Sequence, residues 1–195
     1  MTAATPDSLL PLRRLLRQKL LLQREEFAGV PAAAAATEAL AGHLVAVIAQ
    51  MEPQCLGVYW PMRFEFNALA AIAADEELAN LPLALPFSRR TPREMHFRAW
   101  DGKAPSLQDE CGIAASNGAP IVPDVVLAPC VGYTAAGFRL GYGGGYFDRW
   151  MAAHPHVTVL GVAWSVSEVG AAEFAPEAHD QPLAAIITER GVVSA

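Results

Sequence analysis

Hydrophobic positions change their spacing several times along the chain, and each change marks an element. Leu9 to Phe27 is rich in good helix formers, and a second helical run opens at Pro31 and continues to Gln50. Cys55–Trp60 is a short apolar run stopped by Pro61, the form of a buried strand. Ala68–Leu78 returns to helical composition. Leu83–Pro86 predicts a strand, and Met95, Phe97 and Ala99 alternate through another that ends at Trp100. From Asp101 to Pro123, scattered Gly, Ser, Asn and Pro predict loop. Asp124–Pro129 reads as a buried strand, Tyr146–Ala153 as a helix, and Val157–Ala163 and Ala184–Thr188 as the remaining strands.

Strands alternating with helices imply an α/β fold: a three-layer α/β/α arrangement around a mostly parallel sheet. No repeat or linker divides the chain, so residues 1–195 are expected to form a single domain. The order of strands in the sheet is not encoded in this pattern.

Composition narrows the function classes. With 53% apolar and 17% charged residues, the chain has the makings of a packed core rather than a disordered segment. No apolar run approaches the roughly 18 residues that span a bilayer. The Leu-rich stretch from Leu9 to Leu22 is interrupted by Arg13, Arg14, Arg17 and Lys19, unlike a secretory signal. Cys55, Cys111 and Cys130 are odd in number and lack metal-type spacing, so reduced thiols and a cytoplasmic location are expected. A net charge of −6 argues against a nucleic-acid binder but leaves room for a local anion site.

The densest local signal runs from Arg139 to Arg149, between a buried strand and a helix. Glycines at 141, 143, 144 and 145 free the backbone for φ > 0 and remove Cβ atoms from an approaching ligand. Successive amides in such a loop form an anion-binding nest, reinforced by the positive end of the next helix. The loop matches neither the P-loop nor the dinucleotide fingerprint. A tight strand-to-helix connection that needs glycine only for geometry is the competing reading.

Asp148, in the first turn of the following helix, either complements the helix dipole or holds Mg²⁺ beside bound phosphates. Asp180, in His179-Asp-Gln-Pro182, is a second candidate carboxylate or a turn residue.

Arg13, Arg17 and Arg24 fall within a sector of roughly 40° on one helix face. Leu9, Leu12, Leu16 and Leu20 lie on one side of that stripe and Leu10 and Leu21 on the other. Cations embedded in an apolar face need a counter-anion. A polyphosphate and an internal ion pair are equally open.

Trp60-Pro-Met-Arg-Phe-Glu-Phe-Asn67 follows a strand and so belongs at the carboxyl edge of the sheet, where open α/β sheets bind ligands. Trp60, Phe64 and Phe66 suit a wall for a flat heterocycle, with Glu65 accepting from its ring N–H groups. Alternatively the aromatics are core and Glu65 caps the next helix.

Over nearly its whole length the chain resembles the 5-formyltetrahydrofolate cyclo-ligase family. The resemblance rests on the basic first helix, the Trp60–Glu65 segment, Met95–Trp100 and Pro123–Pro129. It continues through Arg139–Arg149, Gly161–Trp164 and His179–Leu183. It implies ATP-dependent formation of 5,10-methenyltetrahydrofolate from 5-formyltetrahydrofolate, with Mg²⁺ and without a nucleophilic side chain. It further implies that ATP is held by Arg13 and Arg17, by Arg139 and Leu140, by Gly141, Gly143, Gly144 and Gly145, and by Tyr142, Tyr146 and Phe147. The folate would contact Trp60 and Glu65 and the segment from Tyr142 to Tyr146. Asp148 and Asp180 would serve Mg²⁺.

The expected partners are a reduced folate and ATP, with no nucleic acid and no membrane. A monomer is expected, although oligomeric state is not readable here. Four positions depart from the family pattern: Arg13 replaces a lysine, Thr134 an aspartate, Ser167 a glutamine and Ala184 an aspartate. They motivate an alternative, a diverged folate- or nucleotide-binding paralogue without turnover.

Overall fold

The computed structural model describes residues 6–194, with side chains described from residue 11 onward. Two long helices come first, α1 (Pro6–Ala28) and α2 (Ala32–Met51). There follow β1 (Leu56–Gly57), α3 (Ala68–Ala74), β2 (Leu83–Arg89), β3 (Glu94–Trp100), β4 (Leu107–Gln108), β5 (Ala114–Ala115) and β6 (Pro120–Ile121). The remainder is β7 (Val125–Pro129), β8 (Gly132–Tyr133), β9 (Arg139–Leu140), α4 (Tyr146–Ala153), β10 (Thr158–Val162), β11 (Ala185–Thr188) and β12 (Gly191–Ser194).

The main sheet runs β12-β11-β10-β7-β1-β2-β3-β6. Its centre is parallel, from β11 through β10, β7 and β1 to β2. Antiparallel pairings occur only toward the edges, at β12, β3 and β6.

Strand alternation divides the core between two faces. Val125 and Leu127 of β7 pack with Leu40, Leu44 and Ile48 of α2 and Ile72 of α3. Val126 and Ala128, pointing the other way, pack with Trp150 and Met151 of α4. Helices therefore cover both faces of a mostly parallel sheet, as the sequence implied. The inner face of α1, through Leu16 and Leu20, closes over Val131 just beyond the carboxyl end of β7, with Leu140, Val169 and Phe174. The Leu9 and Leu10 side chains lie outside the described residues.

Several boundaries differ from expectation for local reasons. The helix predicted over Ala68–Leu78 stops at Ala74. There the Asp75 side chain accepts the amides of Glu77 and Leu78 at 3.1 and 3.0 Å, offering them a turn in place of the helix. The stretch Asp101–Pro123, expected as loop, carries three short strands. It is pinned by buried Asp109, whose carboxylate accepts the amides of Ser88, Cys111 and Ile113.

The expectation that no apolar run approaches spanning length is corrected by the 20-residue α2, which contains an 18-residue stretch of mean hydropathy 1.6. Alanine raises that value. Leu40, Leu44 and Ile48 are fully buried against the sheet, which gives the helix a core role.

Candidate functional site

The β8–β9 hairpin delivers the chain to the glycine loop, and the loop delivers it to α4. Gly143 takes φ 93° and Gly145, the N-cap of α4, takes φ 62°; both are left-handed conformations that favour glycine. The first helical bond is Arg149 N–H to the Gly145 carbonyl at 3.2 Å. Among the described residues, no protein acceptor takes the backbone N–H groups of residues 143–147. Five consecutive amides thus stand open at a helix N-terminus, the arrangement that binds anions.

The three arginines of α1 go to three different places. Arg17 lies along the loop: its Nε donates to the Gly141 carbonyl at 2.7 Å, and its Cζ is 3.3 Å from where a Cβ on Gly143 would stand. Partial burial and the neighbouring charge of Arg13 lower its pKa, so an added anion would relieve it. Arg13 is occupied by protein groups. It meets Asp180 at 2.6 Å and Glu177 at 3.1 Å, and donates to the Ala175 carbonyl.

Arg24 is only 1% exposed and donates to the Cys130 carbonyl at 2.5 Å and the Tyr142 hydroxyl at 3.2 Å. The Glu65 carboxylate lies 3.6 Å away. The internal ion-pair reading therefore holds for Arg13 and Arg24, while Arg17 faces the open amides.

Glu65 is the second focus. One oxygen accepts from the Tyr142 hydroxyl at 2.6 Å and the other from the Met62 amide at 2.8 Å. Burial raises its pKa despite these donors and Arg24. The loop that presents it is bent at Arg63 and Phe64, both with positive φ, and Trp164 Nε1 holds the bend by donating to the Phe64 carbonyl at 3.0 Å. The adjoining Tyr142 hydroxyl is also shifted up, first by burial and then by the Glu65 charge.

Of the two open readings of the aromatic segment, the core reading holds for Phe66 and a wall of three aromatics does not form. Trp60 is half-buried with its edge to Trp100, Phe66 is in the core against Trp164, and Phe64 is exposed.

Asp148 and Asp180 are each held by an arginine. Asp148 receives Arg139 at 3.1 Å, and Asp180 receives Arg13 together with the Glu177 amide. Burial pushes the Asp180 carboxyl up, but the Arg13 and amide hydrogen bonds outweigh it and hold its pKa below the usual value. Among the described residues, no three His, Cys, Asp or Glu side chains gather into a metal cluster, whereas magnesium carried by phosphates needs only one or two carboxylates. Each of the two carboxylates is thus paired with an arginine in this structure.

Arg139 is itself buried over the Phe147 ring, with Leu140 packed beneath the hairpin. Of the departures from the family pattern, Ser167 is 1% exposed with no partner for its hydroxyl, while Thr134 is satisfied by the Phe138 amide.

Sequence reasoning missed a group on the far side of the loop. Arg90, Arg93 and Cys111 border a cleft of about 340 Å³ together with Tyr142, Gly143, Gly144 and Tyr146. Arg89-Arg-Thr-Pro-Arg93 between two strands was the available signal, but only the β2–β3 hairpin brings it to the glycine loop.

The family model described as the 5-formyltetrahydrofolate cyclo-ligase family matches residues 11–189. Among solved structures, the chain is similar to a 5,10-methenyltetrahydrofolate synthetase from Aquifex aeolicus, with TM-score 0.73 and 23% identity over 94% of this chain and 92% of that one. It is also similar to a 5,10-methenyltetrahydrofolate synthetase from Mycoplasma pneumoniae, with TM-score 0.69 and 18% identity over 91% of this chain and 98% of that one. At these identities the two likenesses establish the fold. Comparison with curated protein sequences gives no significant match.

Proposed function

The chain belongs to the 5-formyltetrahydrofolate cyclo-ligase family, and on that premise we propose that it converts 5-formyltetrahydrofolate to 5,10-methenyltetrahydrofolate with consumption of ATP. The observation that carries the proposal is the row of open amides at residues 143–147 beside Arg17. An ATP phosphate chain supplies the acceptors that these donors lack.

In this reaction the formyl oxygen attacks the γ-phosphorus of ATP and ADP leaves. N10 of the folate then attacks the activated carbon, its proton passes to solvent, and the C–O bond breaks with release of phosphate. A formamide oxygen leaves poorly, whereas a phosphate leaves well. The protein's contribution is therefore positioning and charge stabilisation rather than a nucleophile.

Arg17 and the loop amides hold the phosphates. Glu65 and Tyr142 receive the polar edge of the folate, with Trp60 nearby. Arg13 and Arg139 act one step back, Arg13 by fixing the segment around Asp180 and Arg139 by fixing Asp148 under the loop. Magnesium would enter with the ATP phosphates, where it neutralises charge. No step is assigned through Asp148 and Asp180, given their arginine partners. Three unpaired thiols support a reducing, cytoplasmic setting.

The test is the rise of methenyl-folate absorbance when purified protein meets 5-formyltetrahydrofolate and Mg-ATP. ATP-dependent product is expected. Folate binding with no ATP-dependent product sinks the proposal in favour of a non-catalytic paralogue.

A further inference from the structure

The glycine loop has little stiffness of its own. Tyr142 stands between Gly141 and Gly143, with Gly144 and Gly145 beyond, so contacts from side chains must fix where the loop amides lie. Two of those contacts come from α1. Arg17 donates to the Gly141 carbonyl at 2.7 Å. Arg24, about two turns further along the helix, donates from one terminal nitrogen to the Tyr142 hydroxyl at 3.2 Å.

Arg24 reaches further than an anchor requires. Its other terminal nitrogen donates to the Cys130 carbonyl, which by itself ties α1 to the carboxyl end of the sheet. The buried guanidinium then directs a further donor to Tyr142, a residue that is 38% exposed and belongs to the ligand loop. The phenol oxygen, accepting from Arg24, turns its own hydrogen toward Glu65 at 2.6 Å. Arg24, Tyr142 and Glu65 thus form a chain in which both hydrogen bonds point the same way and polarise each other. Burial and the Glu65 charge raise the pKa of the phenol, so its hydroxyl keeps the proton that it donates.

We infer that Arg24 is a positioning residue for the reaction: through the Tyr142 hydroxyl it holds the Glu65 carboxylate and the amides of residues 143–147 in one fixed relation. The inference rests on the cyclo-ligase reading and adds to it a residue that, at 1% exposure, reaches neither substrate. The reaction needs the formyl oxygen in line with the γ-phosphorus of ATP. Yet the two substrates are held by different segments, the folate edge by Glu65 and the phosphates by the loop before α4. Those segments meet side chain to side chain in the Tyr142–Glu65 bond, and Arg24 sets the phenol that makes it. A small error in that relation costs rate more than affinity, because each substrate still finds its own partners.

The experiment is a double-mutant cycle of Arg24→Lys and Tyr142→Phe. Lysine keeps a cation opposite Glu65 but loses the planar fork that serves Cys130 and Tyr142 together. Phenylalanine removes the hydroxyl and keeps the ring. Circular dichroism and urea unfolding establish conditions in which every variant is folded, and kcat and KM are then measured for 5-formyltetrahydrofolate and for ATP. Each single variant should lower kcat about tenfold with KM for ATP within about twofold, and the double variant should be no slower than the singles. A merely structural Arg24 predicts the opposite, because a loss of active fold would persist when Tyr142 is already Phe.

Unchanged kcat in Arg24→Lys, or losses that multiply to about a hundredfold in the double variant, overturns the inference alone. Should Arg24→Lys fail to fold, Arg24→Met/Glu65→Gln, which leaves no unmatched charge at the site, is compared with Glu65→Gln. A further fall in kcat of about fivefold supports the inference, and equal kcat overturns it. A wild type that gives no ATP-dependent product removes the cyclo-ligase reading and this inference with it.

Discussion

At one end of the α1 stripe Arg13 meets Asp180, and at the other Arg24 meets Glu65; the two pairs have the same chemistry and opposite electrostatic outcomes. Asp180 is approached to 2.6 Å and also receives the Glu177 amide, and its pKa falls despite partial burial. Glu65 lies 3.6 Å from an arginine that is itself nearly fully buried, and its pKa rises. Direct contact with Arg13 and the Glu177 amide outweighs desolvation in the first case; in the second, desolvation outweighs the Tyr142 and Met62 hydrogen bonds and the more distant arginine. The Arg13 pair is thus a finished structural clamp. Glu65 remains a carboxylate that gains from additional donors, which is the property wanted of a group that receives a ligand.

The largest effect should come from removing the buried cation. Arg24→Met leaves Glu65 buried with less compensation and should lower stability by about 3–5 kcal/mol in urea unfolding. The double variant Arg24→Met/Glu65→Gln should recover part of that loss. Strict additivity of the two single losses would mean the groups are not coupled and would break the comparison.

Next comes Gly143→Val, which places a branched side chain at φ 93° and 3.3 Å from the Arg17 guanidinium. KM for ATP should rise at least about tenfold, more than KM for folate, because the substitution shifts both the amides and Arg17. An equal rise for both ligands would argue that the loop serves them without distinction.

Smaller again is Asp180→Asn, expected to cost about 1–3 kcal/mol at neutral pH. Its diagnostic is the pH profile. Because the folded-state pKa of Asp180 lies below its ordinary 3.8, its contribution is present above that value and fades as pH falls through the folded pKa. The variant should therefore lose dependence on the acid side. Glu65 has the reverse sign: its raised pKa favours folding below the ordinary 4.5, a gain lost as pH rises through the folded value. Glu65→Gln should flatten stability on that higher-pH limb. Profiles of the same sign for both variants would refute the contrast.

The smallest effect is Lys19→Gln. Lys19 and Glu173 pair at 2.9 Å on the α1 surface, both well exposed. No measurable change in urea midpoint is expected, which would show that position on α1 alone does not make a pair matter.

The glycine loop was legible because four glycines in five residues between a strand and a helix restrict what the backbone does there. The arginine stripe was legible as a geometric fact but not in its meaning, since helical periodicity fixes a face and not what that face meets. Arg24 illustrates the limit: its spacing matches that of its neighbours, yet it turns inward to Glu65 instead of toward the open amides of the glycine loop. The aromatic segment left two readings open for the same reason. Trp60, Phe64 and Phe66 are neighbours in sequence, but the left-handed bend at Arg63 and Phe64 sends them to different surroundings.

Local pattern by itself determined the alternation of strands and helices, the buried β7 strand, the glycine turn and the family, because each depends on residue type and short-range spacing. Only the tertiary structure decided strand order, the partner of each arginine, and the meeting of the β2–β3 turn with the glycine loop. Those depend on contacts between distant segments, where burial and a few tenths of an ångström decide whether a charge is neutralised by the protein or left for a ligand.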